Sequence, residues 1–228
     1  MGPYFHLWFL YLLIGLYLIT PVIRVLVAYS GWKILRYFLL VWFVGTAVVP
    51  LLTLFGPYSL NPIVFMLTGW LGYFILGTCL VKVRLRPSIL YLVLVLGFLW
   101  TIIGTYFVVG TIGARLGEFF YDFFSINVIM ASVALFLLLS AVPPQKIESR
   151  FPRVNRVIHQ ISQITLAIYL FHVMVLETLQ KGYLGFKISL TTMNPVLEIP
   201  LITIVTLFIC LGVLIPLKKI PYLRRLIG

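Results

Sequence analysis

Stretches of about twenty residues with almost no charge recur along this chain, each long enough to cross a bilayer core at about 1.5 Å rise per residue. Seven such stretches run over 7–28, 33–54, 64–81, 87–110, 125–142, 161–180 and 197–217. Turn-rich or charged segments separate them, including "GPYSLNP" before the third and "PPQKIESRFPR" before the sixth. Nothing but lipid suits this pattern, because 62% of the residues are apolar and only 10% are charged. Soluble domains carry about 25% charged residues, and too few are present here to cover so much apolar surface. Period-two alternation is absent, which argues against a barrel. The sequence therefore predicts an all-α fold, a polytopic transmembrane helix bundle of seven spans forming a single transmembrane domain over 1–228.

Seventeen Lys and Arg face five acids, a formal charge of +12. In a soluble chain this balance would point to nucleic acid; in a membrane chain it records topology and the anionic inner leaflet, so no nucleic-acid partner is expected. Fourteen of the seventeen fall on one set of span ends: Arg24, Lys33 and Arg36; Lys82, Arg84 and Arg86; Lys146, Arg150, Arg153 and Arg156; Lys218, Lys219, Arg224 and Arg225. Only Arg115, Lys181 and Lys187 fall on the other. Positive segments stay inside, which predicts an inner C-terminus and, with an odd number of spans, an outer N-terminus. Met1 to Phe5 contains neither a charged leader region nor a cleavage pattern to carry the first span outward. Either a short N-terminus is translocated or helices precede it.

Polar groups inside the hydrocarbon are expensive and point to function by default. His172 lies near the middle of the sixth span in "LAIYLFHVMVLE", with Tyr169 three residues before it on the same face and Glu177 about 7.5 Å further along the axis. It reads either as a proton-relay or substrate-positioning histidine, or as a hydrogen-bonded packing residue. His6 opens the first span beside Trp8 and Tyr11, where composition alone reads it as a wetted interfacial residue. Glu118 and Asp122 stand four apart in an outer loop and suit acid–base work or a cation. The plainer reading is a solvated face of a short interfacial helix, with Phe119, Phe120, Phe123 and Phe124 on the membrane. Gly69, Gly72 and Gly77 in "GWLGYFILGTCL" let the third span approach its neighbours closely. The basic segment Lys146 to Arg156 reads as a topology determinant touching anionic lipid, with a phosphate-bearing ligand such as the nucleotide of coenzyme A as a second use. Cys79 and Cys210 sit inside apolar runs with no ligand cluster around them, so no metal is expected.

Three separated segments in order, "HLWFLYLLIGLYLITPVIR", "GWLGYFILGTCL" and "ISQITLAIYLFHVMVLE", resemble the acyltransferase family 3 membrane enzymes. These are O-acyltransferases typified by those that O-acetylate enterobacterial common antigen and other surface polysaccharides. The resemblance implies transfer of an acetyl or similar acyl group from acyl-CoA, with acetyl-CoA as the expected donor substrate and no bound cofactor. The acceptor is a hydroxyl of a cell-surface glycan or lipid-linked saccharide, and the setting is the plasma (inner) membrane among membrane lipids. It implies His172 and His6 as catalytic candidates, and Trp8, Tyr11, Arg24, Tyr169 and Glu177 as substrate-binding ones. Such enzymes have roughly ten spans with both termini inside, so the resemblance also implies that the N-terminal third, about 100 residues, is absent from this chain. The family's principal basic residue and histidine belong to those first helices. On that view His6, Trp8, Tyr11 and Arg24 line the cavity while Tyr169 and His172 support it.

Seven spans with the N-terminus outside also fit a receptor or retinal protein, but the seventh span has no interior Lys for a Schiff base. A transporter of lipid-linked sugars would want internal repeats or broken helices, and no repeat is evident. A non-catalytic seven-helix membrane protein is the remaining alternative. A retinal absorption test and an acyl-CoA hydrolysis assay separate these readings.

Overall fold

The computed structural model describes residues 5–55, 69–111, 118–183 and 195–220, and within them every regular element is a helix. Lipid requires this, because a helix satisfies its own backbone polar groups where no water is available. A 3₁₀ turn over Phe5–Leu7 leads into α1 (Trp8–Tyr29). Then come α2 (Trp32–Phe43), a π-helical turn (Val44–Val48) and α3 (Val49–Phe55). They are followed by α4 (Gly69–Leu80), α5 (Pro87–Thr111), a 3₁₀ turn (Glu118–Tyr121) and α6 (Ile126–Ser140). The chain continues through α7 (Pro144–Arg150), α8 (Pro152–Gln163), α9 (Thr165–Lys181) and α10 (Pro195–Leu217).

Five segments are long and apolar enough to cross a membrane: Trp8–Tyr29, Trp32–Leu52, Pro87–Gly110, Phe119–Ser140 and Glu198–Leu217. Counting α8 with α9 as one bent span makes six, where the sequence reading expected seven. The third expected span is represented by α4, twelve residues long, and residues 64–68 of that expectation lie outside the described residues. The sixth expected span, 161–180, is corrected at its start. The chain bends by 75° between α8 and α9, where Ile164 leaves helical geometry at φ −115° and ψ 13°. Ser162 and Thr165 flank the break, and their hydroxyls donate to the carbonyls of His159 and Ile161, a local competition that weakens a helix.

The helices fall into two compact units, one comprising residues 1–11 with 144–228 and the other Leu12–Pro143. In the second unit, α5 and α6 pack along their length. A Cβ at Gly97 would lie 2.9 Å from the Ala131 Cβ, so only glycine permits this approach. Buried Asn127 ties the pair together, its Nδ2 donating to the Thr101 hydroxyl and to the Phe120 carbonyl, both at 2.6 Å. Elsewhere in the unit, the Trp42 Nε1–H donates to the Gly69 carbonyl at 2.8 Å, and the Trp42 ring lies over Gly72. The π-turn precedes Pro50, whose ring lacks an N–H and crowds the carbonyl four residues back; an extra residue in the turn relieves that crowding.

The structure refines the expectations for this loop and for α4. Phe120 is buried, and Phe124 packs on Trp70 and Tyr73 against Gly69, so the four phenylalanines do not all face lipid. Asp122 accepts from the Phe124 backbone N–H at 2.9 Å, a turn role, and the side chain of Glu118 lies outside the described set. Of the three glycines in α4, Gly69 and Gly72 each admit an aromatic ring, while Gly77 meets nothing within 4 Å.

In the first unit, α9 packs on α10 around Ile164, Val175, Leu179, Ile202, Cys210 and Leu214. Gly182, at φ 75°, ends α9 in the left-handed conformation that glycine adopts without a Cβ penalty.

Candidate active site

The apolar run of α9 carries two polar side chains on one face, Tyr169 and His172, one helical turn apart. The His172 Nδ1 lies 2.6 Å from the backbone carbonyl of Tyr169. A carbonyl only accepts, so Nδ1 carries a proton, and in the neutral ring Nε2 is the nitrogen with the lone pair. The Tyr169 hydroxyl donates to the backbone carbonyl of His6, 163 residues away in the chain. That bond docks the 3₁₀ turn Phe5–Leu7 on α9 within the first unit.

The docking assembles a ring cluster. The His6 and His172 rings meet edge to face at 5.5 Å between centroids, and His6 and Tyr169 at 5.9 Å. Tyr169 and His172 are 5.8 Å apart, and Phe9 closes on Tyr169 at 5.6 Å. Two histidines and a tyrosine thus share one site, although the sequence reading placed His6 at the interface and His172 at mid-span.

A cavity of about 430 Å³ opens between α9 and α10, within the range of small-molecule sites. Its wall is mostly aliphatic, interrupted by His172, Gln180, Thr203 and Thr206. Thr206 is buried, and its hydroxyl has no hydrogen-bond partner among the described residues. An unpaired hydroxyl in an apolar wall is costly unless a ligand meets it. Thr203, Thr206 and Cys210 recur at helical spacing on α10, a pattern the sequence reading passed over because each residue alone is unremarkable in a span.

The other expected site residues have surroundings of their own. Trp8 is half-exposed and packs edge-on to Phe9 at 6.1 Å, while Tyr11 is exposed. Glu177 pairs with Lys181 at 3.3 Å on the α9 surface. Arg24 is exposed and belongs to the second unit. Among the described residues no three His, Cys, Asp or Glu side chains converge as a metal cluster requires.

A family model described as an acyltransferase domain matches residues 2–215 of the chain. No curated protein and no solved structure matches it.

Proposed function

Since this chain belongs to acyltransferase family 3, we propose that it moves an acetyl group from acetyl-CoA to a hydroxyl of a cell-surface glycan or lipid-linked sugar, with His172 as general base. The hydroxyl oxygen attacks the thioester carbonyl carbon, forming the new C–O bond as the C–S bond breaks. Nε2 of His172 takes the hydroxyl proton and returns it to the departing thiolate, so the site ends each turnover as it began. His6 stands beside the imidazole in this scheme. Trp8, Tyr11, Tyr169, Arg24 and Glu177 remain substrate-binding proposals, the type of acceptor follows the resemblance to common-antigen O-acetyltransferases, and the plasma membrane is the proposed setting.

One observation carries the reading: His172 lines the cavity between α9 and α10 while its Nδ1 is held by the Tyr169 carbonyl, which in the neutral ring leaves Nε2 as the acceptor. A packing histidine has no need of a cavity beside it. The test is transfer of labelled acetate from acetyl-CoA to a saccharide acceptor by membranes containing the full protein. His172→Ala should lower turnover by 10²-fold or more, as expected for a lost general base, at unchanged protein abundance. Full activity in His172→Ala, or loss of the protein itself, would refute the assignment.

A further inference from the structure

The segment before the candidate active-site helix is of a different kind from the rest of the molecule. On α8, Val154, Val157, Ile158 and Ile161 fall within about 100° of one another around the helix axis, while Arg156, His159 and Gln163 line the opposite side. No residue of α8 is buried, and Val154, Val157 and Ile158 are each about half exposed at 50%, 51% and 51%. The apolar stripe has therefore found no cover within the first unit.

Three features identify what covers it. The 75° bend at Ile164 turns α8 close to perpendicular to α9, so if α9 crosses the bilayer, α8 lies near its plane. Exposed Arg153 and Arg156 stand on α8, and the Lys218 Nζ at the end of α10 donates to the Gln163 Oε1 at 2.7 Å, bringing another cation to its last turn. Among the described residues of α8 there is no acid. A short helix with an apolar face, a polar face and flanking cations is the pattern of a helix lying in the membrane interface.

We infer that α8 is an in-plane anchor whose Val154, Val157, Ile158 and Ile161 insert among acyl chains while Arg153, Arg156 and Lys218 hold the phosphates of anionic lipids. The inference rests on the spanning reading of α9 and α10 alone and stands whether or not the protein transfers acyl groups. Each basic side chain at an anionic surface is worth a factor of about five in local lipid preference. Replacing both arginines should lower that preference about thirtyfold, and added salt should weaken it in the parent protein.

The test uses the full chain with Ile158→Cys carrying a fluorophore; Cys79 and Cys210 are both buried, which limits background labelling. The protein is reconstituted in phosphatidylcholine or an equimolar mixture with phosphatidylglycerol, with bromine on either lipid at shallow or terminal acyl positions. Expected is quenching by shallow bromines, stronger from brominated phosphatidylglycerol than from brominated phosphatidylcholine. Arg153→Gln with Arg156→Gln should lower that ratio markedly, leaving only the preference that Lys218 supplies. Strongest quenching by terminal bromines would mean that α8 spans, and quenching by aqueous iodide alone would mean that it is solvated. Protection from all quenchers would assign the stripe to a protein contact. Equal quenching by the two lipids in the parent protein would remove the anionic preference. Each of these results overturns the inference.

Discussion

His172 owes the placing of its ring proton to a main-chain atom, because its Nδ1 faces the Tyr169 carbonyl and not a second side chain. The Tyr169 hydroxyl has a separate task, holding the His6 turn against α9. Tyr169→Phe should therefore keep the His172 tautomer and loosen only His6. One hydrogen bond of about 1.5 kcal/mol converts to roughly tenfold, so transfer should fall by about that factor, well short of the His172→Ala loss; acetyl transfer rates measured side by side check the order. His172 and Tyr169 were legible in the sequence as polar residues in an apolar run. Composition alone gave His6 as an interfacial residue and the family resemblance named it beside His172, while the contact itself spans 163 positions and no local pattern records it. Thr206 was not legible at all, because a threonine in a span is ordinarily satisfied by its own helix.

At the scale of elements, the apolar runs gave the helices and most of their limits, and charge gave the separators. What they did not give was where a run is interrupted. The break at Ile164 depends on two hydroxyls bonding back to carbonyls, and the π-turn depends on Pro50 acting inside an otherwise continuous helix. Small residues were read correctly as points of close approach at Gly69 and Gly72 but not at Gly77, because spacing alone does not tell which glycine meets a ring. Gly72→Ala should destabilise the protein by about 1–3 kcal/mol by forcing a methyl into the Trp42 ring. Gly77→Ala should be neutral or slightly stabilising, since its site is open and alanine favours helix. Thermal unfolding in detergent of the two variants, side by side, measures the difference. Asn127→Ala tests the α5–α6 tie in the same assay, with an expected cost of about 1 kcal/mol, the modest size typical of hydrogen bonds between membrane helices.

For the molecule as a whole, the uneven placement of Lys and Arg predicts that the basic ends of α1, α4, α6 and α10 share one side of the membrane. Arg115, Lys187, Arg224 and Arg225 in that count lie outside the described residues. Single cysteines read the prediction directly. Arg150→Cys should react with an impermeant maleimide only after the cells are permeabilised, and Tyr183→Cys should react in intact cells. The reverse pattern would invert the protein. Orientation depends on summed charge, so the sequence carries an expectation for it. The ring cluster and the cavity depend on which faces of α9 and α10 meet, and hydropathy that is nearly uniform around both helices carries little record of that.

A histidine with one nitrogen committed to its own backbone has a single door. To pass protons along a chain, a ring must receive on one nitrogen and release from the other, and His172 has only Nε2 available for both. In the proposed transfer each proton it lifts from the hydroxyl leaves to the thiolate through the same nitrogen, so the ring ends each turnover in the state in which it began. Acyl transfer at such a centre should run at the same rate whether the membrane is energised or collapsed, and in vesicles an ionophore should leave that rate unchanged.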